Sequence, residues 1–325
     1  MDELLVASLL GEVLLPALLA ARFLRLRDPG PAAWGANLLA CAACNAMLWR
    51  VGLWQIFPSS LLFGWAGLQA AAGLASWRRR RLRESRKALR RLHPQTASSL
   101  AIALVASGVL ASAVLGPPPP EEETVDLDPP LRGGVFRIIH GGGSLLLNPH
   151  RKTLAEKRLA AFRGQAYALD IDRVDALGRR AAGLRPQDPR AYFIFGHPVF
   201  APCDGTVIAV EAGLPDLAPP RIDRDHPAGN FVRLDCGGFE VLLAHLAQAS
   251  PKVVAGQQVA AGDLLGRVGN SGMSLEPHLH LHAERGGDAG PRPLAVRIGG
   301  RLLVRNDRFS PRRRGGRRES GRRRG

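Results

Sequence analysis

Four long apolar stretches, at about 4–21, 32–49, 58–77 and 97–116, fill the first third of the chain. A helix needs roughly 20 apolar residues to cross a bilayer core, so residues 1–116 are predicted to form a transmembrane α-helical bundle of about four helices. The first stretch contains Glu12 and Pro16, and a secretory signal peptide is the rival reading for it. That reading would need a basic start, whereas the chain opens with Asp2 and Glu3, so a span is preferred. From Val135 the pattern changes to short β-branched or aliphatic runs broken by Gly, Pro, Asn and Asp. Runs at 191–195, 206–211, 231–235, 239–245, 264–268 and 278–283 predict a mainly antiparallel β domain, with one helix at 152–162. Between the two patterns, Gly116–Glu123 reads GPPPPEEE, a stiff spacer away from the membrane surface. The expected division is a membrane region 1–116, a linker 117–134, a β domain 135–300 and a basic disordered tail 301–325.

Charge sharpens this division. The chain carries a formal +16, but residues 117–310 contribute only +1 of it. The excess sits in 1–116, at +8, and in 311–325, at +7. A nucleic-acid binder would place that charge on the folded surface that docks the duplex, so no nucleic-acid partner is expected. Nine Lys/Arg between 78 and 93 instead mark a cytoplasmic loop, since basic loops stay inside. Residue 117 onward then faces the periplasm or cell exterior. This describes a multi-pass membrane protein, with the bilayer as partner of its helices and an anionic envelope surface as partner of the Arg-rich tail. Cys41 and Cys44, inside an apolar span without His or acidic company, read as small buried residues rather than a metal or redox pair.

Eight of the nine histidines follow residue 139. His278, His280 and His282 alternate in PHLHLH, and alternate residues of a strand share a face. Three imidazoles on one face are poorly explained by packing and suit a metal. Asp170 ends an apolar run and could add an oxygen ligand, and His245 ends another. His140, His197 and His226 read as loop or strand-edge residues. His282 reads as a partner behind a ligand or as part of the substrate groove. Cys203 and Cys236 stand in strand-like runs, where a disulfide and two buried thiols are both open.

The ordered set PVFAPCDGTV (198–207), AGNFVRL (228–234), LLAHL (242–246), VVAGQQVAAGDLLGRVGNSG (253–272) and EPHLHLH (276–282) resembles the lysostaphin/LytM-type zinc metallopeptidases that cut peptidoglycan. With ALDI (168–171) and the segment near His150, the resemblance covers roughly 140–285. It implies a β domain of LytM/lysostaphin-like type, with Asp170 and His280 as Zn2+ ligands and His245 and His278 as non-ligand catalytic histidines. The first ligand of that family stands four residues before the Asp, where this chain has Ala166. Two readings follow. In one the site is broken, and the domain is an inactive module that binds cell wall or activates a partner amidase. In the preferred one, His150 of LLLNPH takes the missing place. The resemblance then implies a membrane-anchored zinc metalloendopeptidase acting on peptidoglycan peptides, in a bacterial inner (cytoplasmic) membrane with its C-terminal domain in the periplasm or cell exterior.

Overall fold

The computed structural model describes residues 3–25, 31–82, 94–116, 119–286 and 290–311. The basic residues 83–91 and the tail from 312, both used above, lie outside these.

Four helices come first: α1 (Glu3–Arg25), α2 (Pro31–Val51), α3 (Leu61–Leu82) and α4 (Pro94–Val114). Along their length α2 packs against α4, and α3 against α1. Their core is largely small residues (Ala40, Cys41, Cys44, Ala72, Ala103 and Ala106, with Leu19 and Phe23), which let helix backbones approach closely. Cys41 and Cys44 are buried free thiols. Within α1, Leu9–Leu14 is π-helical. Pro16 has no N–H to offer the Glu12 carbonyl, and the indole of Trp65 donates to it instead at 2.9 Å. Among the described residues, three helices, Glu3–Arg25, Pro31–Val51 and Gln95–Val114, are long and apolar enough to cross a membrane. Helix α3, which contains the stretch expected as the third span, is not among them. Gln69 and Ser76 dilute its apolar run before Arg78 ends it. Gln69 is nonetheless turned inward, bonded to Asn45 at 2.9 Å and to the Pro16 carbonyl at 3.1 Å.

The rest is built from β1 (Thr124–Leu127), β2 (Val135–His140), β3 (Leu169–Val174), β4 (Pro198–Phe200), β5 (Gly205–Glu211), β6 (Asn230–Asp235) and β7 (Glu240–Leu246). β8 (Gln258–Val259), β9 (Leu264–Arg267), β10 (Leu279–Arg285), β11 (Arg292–Ile298), β12 (Arg301–Leu302) and β13 (Arg308–Phe309) complete it. The main sheet runs β13-β2-β3-β10-β7-β6-β5-β8, with β11 against the second half of β10 and carrying β1 and β12. β4 and β9 form a separate pair. Pairing is antiparallel except between β1 and β11. One face buries Phe136, Ile138, Ile171, Leu234, Leu243, Leu281 and their neighbours in a single apolar core. Cys203 and Cys236 are joined as a disulfide beside that core.

Four local expectations change. No strand forms at 191–195, where Tyr192 makes one isolated bridge to Ala181. The helix expected at 152–162 is a short α5 (Lys152–Ala155), broken at Glu156, whose backbone is extended, and followed by a 3-10 run Lys157–Tyr167 that lies over β10 and β11. The stretch expected as linker contributes β1, and the start of the expected tail contributes β12 and β13.

Fourth, no spacer holds the β part off the helices. Arg50 at the end of α2 bonds Asp307 at 2.8 Å and the Arg305 carbonyl at 2.9 Å. Asn306 donates to the Gly52 and Trp49 carbonyls at 2.9 and 3.1 Å. Arg308 donates to Ser59 at 2.6 Å. Buried Arg137 donates to the Trp54 carbonyl at 2.8 Å and pairs with Asp172, while Glu12 accepts from the Trp54 amide at 2.7 Å. Ends of helices leave backbone carbonyls unpaired; here the β part supplies donors to those near the end of α2 and to the segment after it.

Candidate active site

Neighbouring strands β2, β3 and β10 bring three site residues into one row. Asp170 of β3 stands opposite His280 of β10 on one side and His140 of β2 on the other. Two residues along the same face, Asp172 stands opposite Arg137. Regular alternation from Arg137 would place Ile139, not His140, beside Asp170. A bulge between Ile138 and His140 adds one residue and brings the imidazole round.

His150 comes from outside the sheet and is held by Asn148. The Asn148 side chain is fully buried. Its carbonyl accepts from the His150 amide at 3.2 Å, and its amide donates to the Ala168 carbonyl at 3.1 Å. One side chain thereby pins the His150 turn to the segment leading into Asp170. Ala166 is itself buried.

The Asp170 carboxylate is the meeting point. Its Oδ2 lies 2.8 Å from His140 Nδ1 and 3.0 Å from His150 Nε2; its Oδ1 lies 2.8 Å from His280 Nδ1 and 3.7 Å from His278 Nε2. Burial alone would raise its pKa. The fields of His150 and His278 and the hydrogen bonds from His140 and His150 outweigh burial and hold it well below the ordinary carboxylate value. His140, His150 and Asp170 offer ligand atoms within 4.8 Å of one another, and the His150 and His280 rings lie 5.0 Å apart.

His245 and His278 are held differently. Nδ1 of His245 lies 2.9 Å from the Ser271 carbonyl, and Nδ1 of His278 lies 2.8 Å from the Glu276 carbonyl. A carbonyl can only accept, so each Nδ1 carries the proton and each Nε2 is left with a lone pair. The rings lie 4.8 Å apart, and His245 lies 5.8 Å from His280. His245 has φ +61, a left-handed conformation uncommon for a side-chain-bearing residue, and its amide bonds the Ala228 carbonyl at 3.0 Å. Burial, then the nearby His278 and His280, push its pKa well below the usual imidazole value. The Ser271 carbonyl is positioned by two interlocked turns. Gly229 (φ +61) and Gly272 (φ +76) pack backbone to backbone, where any Cβ would collide.

The structure therefore brings together His150, Asp170, His245, His278 and His280, and adds His140, which was read as a strand-edge residue. His282 lies behind His280. His197 bonds the Arg132 carbonyl and His226 pairs with Asp223 at an exposed turn; neither joins the cluster.

Residues 192–290 match Peptidase family M23. The match holds His245, His278 and His280, while His140, His150 and Asp170 precede it. An uncharacterized metalloprotease of Haemophilus influenzae is 36% identical over 108 residues, which are 32% of this chain and 19% of that protein. The chain thus spans less than a fifth of that relative's length. A putative peptidase M23 from Pseudomonas aeruginosa is similar at 22% identity, over 61% of this chain and 60% of that one, with a TM-score of 0.31. The catalytic domain of the antimicrobial peptidase lysostaphin from Staphylococcus simulans is similar at 22% identity, over 35% and 72%, with a TM-score of 0.23. The β part is an antiparallel domain resembling the M23 peptidases, beside a helical bundle.

Proposed function

We propose that this protein is a membrane-anchored zinc metalloendopeptidase that hydrolyses peptide bonds of cell-wall peptidoglycan outside the cytoplasm. The observation that carries the reading is the Asp170 carboxylate, buried among imidazoles. One carboxylate with nitrogen donors is a set that suits zinc, and the low pKa of Asp170 keeps it ionised, as a ligand must be. His150, Asp170 and His280 are the ligands in this reading, and His140 donates to the Asp170 oxygen beside them. The match to Peptidase family M23 supports the peptidase class, and the resemblance to lysostaphin/LytM-type enzymes supports the substrate.

Zinc, when bound, would polarise the scissile carbonyl and make water nucleophilic at neutral pH. His245 and His278 then act on the substrate. Their Nδ1 protons are committed to main-chain carbonyls, so Nε2 of each is free to accept a proton and later return it, or to donate to the developing oxyanion once protonated. Burial keeps His245 neutral, which is the state required of a base.

The ends of the helices support the location. The β part docks on the Val51 and Ser59 end of the bundle, whereas α3 runs from Leu61 at that end to Arg78 and Arg79 near its other end. Basic residues stay cytoplasmic, which supports an orientation with the β part outside, and its disulfide suits an oxidising compartment.

Zinc content and cleavage of peptidoglycan fragments by the detergent-purified chain test the proposal. The wild type should bind one zinc and lose cleavage when chelated. His150→Ala and His280→Ala should lose metal and activity together. His140→Ala should keep metal, with affinity weakened about 10–100-fold, as for a group that orients a ligand. Binding of peptidoglycan without zinc-dependent cleavage would favour a non-catalytic wall-binding module.

A further inference from the structure

His280 has a second contact that the proposed chemistry leaves unused. Its Nε2 lies 2.9 Å from Nδ1 of His282, and both side chains are buried, at 5% and 7% exposure. His282 Nε2 in turn lies 3.9 Å from Glu284 Oε2. Glu284 Oε1 accepts from Arg233 at 2.7 Å, and the same Arg233 nitrogen donates to Glu240 at 2.8 Å. Residues 280, 282 and 284 alternate along β10 on one face. They form a line running from Asp170 to an anchored arginine on β6.

A neutral imidazole carries one proton, so what one nitrogen does decides the other. If His280 donates from Nε2 to His282, its Nδ1 keeps a lone pair facing Asp170. If His282 donates from Nδ1 instead, the His280 proton sits on Nδ1 and blocks ligation. The Glu284 carboxylate, at 3.9 Å beyond hydrogen-bond reach of His282 Nε2, still favours a proton on that nitrogen through its charge. His282 Nδ1 is then an acceptor, ready for a proton on His280 Nε2 when a metal displaces the one that the Asp170 carboxylate otherwise holds on Nδ1. Glu284 has little room to move away: its carboxylate fills the space that a Cβ on Gly164 would take, and Arg233 holds its other oxygen. We propose that His282, backed by Glu284 and Arg233, is a positioning residue that keeps the Nδ1 lone pair of His280 turned toward the metal. The inference rests on the metal centre proposed above.

Zinc affinity of the full chain in detergent, measured by competition with a chromogenic chelator, tests it. His282→Leu should weaken zinc binding about 10–100-fold, the usual cost of losing such a partner. His282→Gln, whose amide oxygen can accept from His280, should recover most of that loss. Simple packing predicts the opposite order, because Leu fills an apolar space better than Gln. Glu284→Gln, which keeps the side-chain volume, should also weaken binding, and it decides the matter if His282→Leu does not fold. Visible absorption of the Co2+-loaded forms should stay unchanged across these variants, since no ligand is lost. Equal affinity in wild type, His282→Leu and Glu284→Gln overturns the inference while leaving the metal centre intact. A loss in His282→Gln as complete as in Asp170→Ala makes His282 a ligand and overturns it too. A wild type that takes up no zinc overturns the metal centre itself.

Discussion

Six histidines crowd around Asp170 or just behind it, and their separate roles depend on which ring nitrogen points where. His245 and His278 commit Nδ1 to the carbonyls of Ser271 and Glu276; His280 turns Nδ1 to the carboxylate. His245 and His278 thus present Nε2 to the site, whereas His280 presents Nδ1; in the proposed reading the first two act on substrate and His280 holds the metal. Accordingly, His245→Ala and His278→Ala are each expected to cut cleavage of peptidoglycan fragments about a hundredfold or more, the scale of losing an acid/base or oxyanion group. Zinc content should be unchanged in both, as atomic absorption can check. Parallel loss of zinc would show that either residue is a ligand instead. The HxH spacing, the lone His245 and Asp170 were all legible in sequence. His140 was not, because strict alternation puts Ile139 in its place and only the bulge in β2 moves it.

At the level of elements, the turn before α5 brings His150 to Asp170. Asn148 explains how a histidine 20 residues ahead of Asp170 reaches it: its buried amide bridges the His150 backbone and the Ala168 carbonyl. Asn148→Ala should cost about 1–3 kcal/mol by leaving buried carbonyls unpaired, read from denaturant unfolding of the purified chain. It should also lower zinc affinity without removing any ligand. Unaltered affinity would mean that His150 holds its place without Asn148. The loop before β10 has a comparable support. Arg180 pairs with Glu276 at 2.7 Å, with both side chains nearly buried, directly before His278. Removing the arginine would strand a buried carboxylate, so Arg180→Ala should destabilise by about 3–5 kcal/mol, checked by the same unfolding measurement.

For the whole molecule, the β part sits on its bundle and is not tethered at a distance. The Arg137–Asp172 pair joins the Trp54 segment to the strand that carries Asp170, two residues away. Alkaline phosphatase fused after residue 130 should be active and fused after residue 85 inactive, because the β part and the arginine-rich end of α3 lie at opposite ends of the bundle. The reverse pattern would refute both the orientation and the wall substrate. The Cys203–Cys236 bridge closes 33 residues of chain. Replacing both cysteines with alanine should lower stability by about 2–4 kcal/mol, measured against the oxidised wild type.

Periodicity alone determined the two-part plan of this protein, since apolar runs of about 20 residues and period-2 runs report local burial directly. Spacing within one strand likewise set His280 and His282 on a common face, because the pleat repeats every two residues, while His278 stands just before that strand. Contacts between distant segments follow no such local rule. Strand register placed His280 opposite Asp170 across 110 residues of chain, a bulge substituted His140 for Ile139, and the Asn148 side chain delivered His150. The docking of Arg50, Arg137 and Asn306 onto the helix ends likewise arises from carbonyls and donors that meet only after folding. Local pattern encodes which faces are buried, whereas the pairing of those faces depends on register and long-range packing, which only the tertiary structure decided.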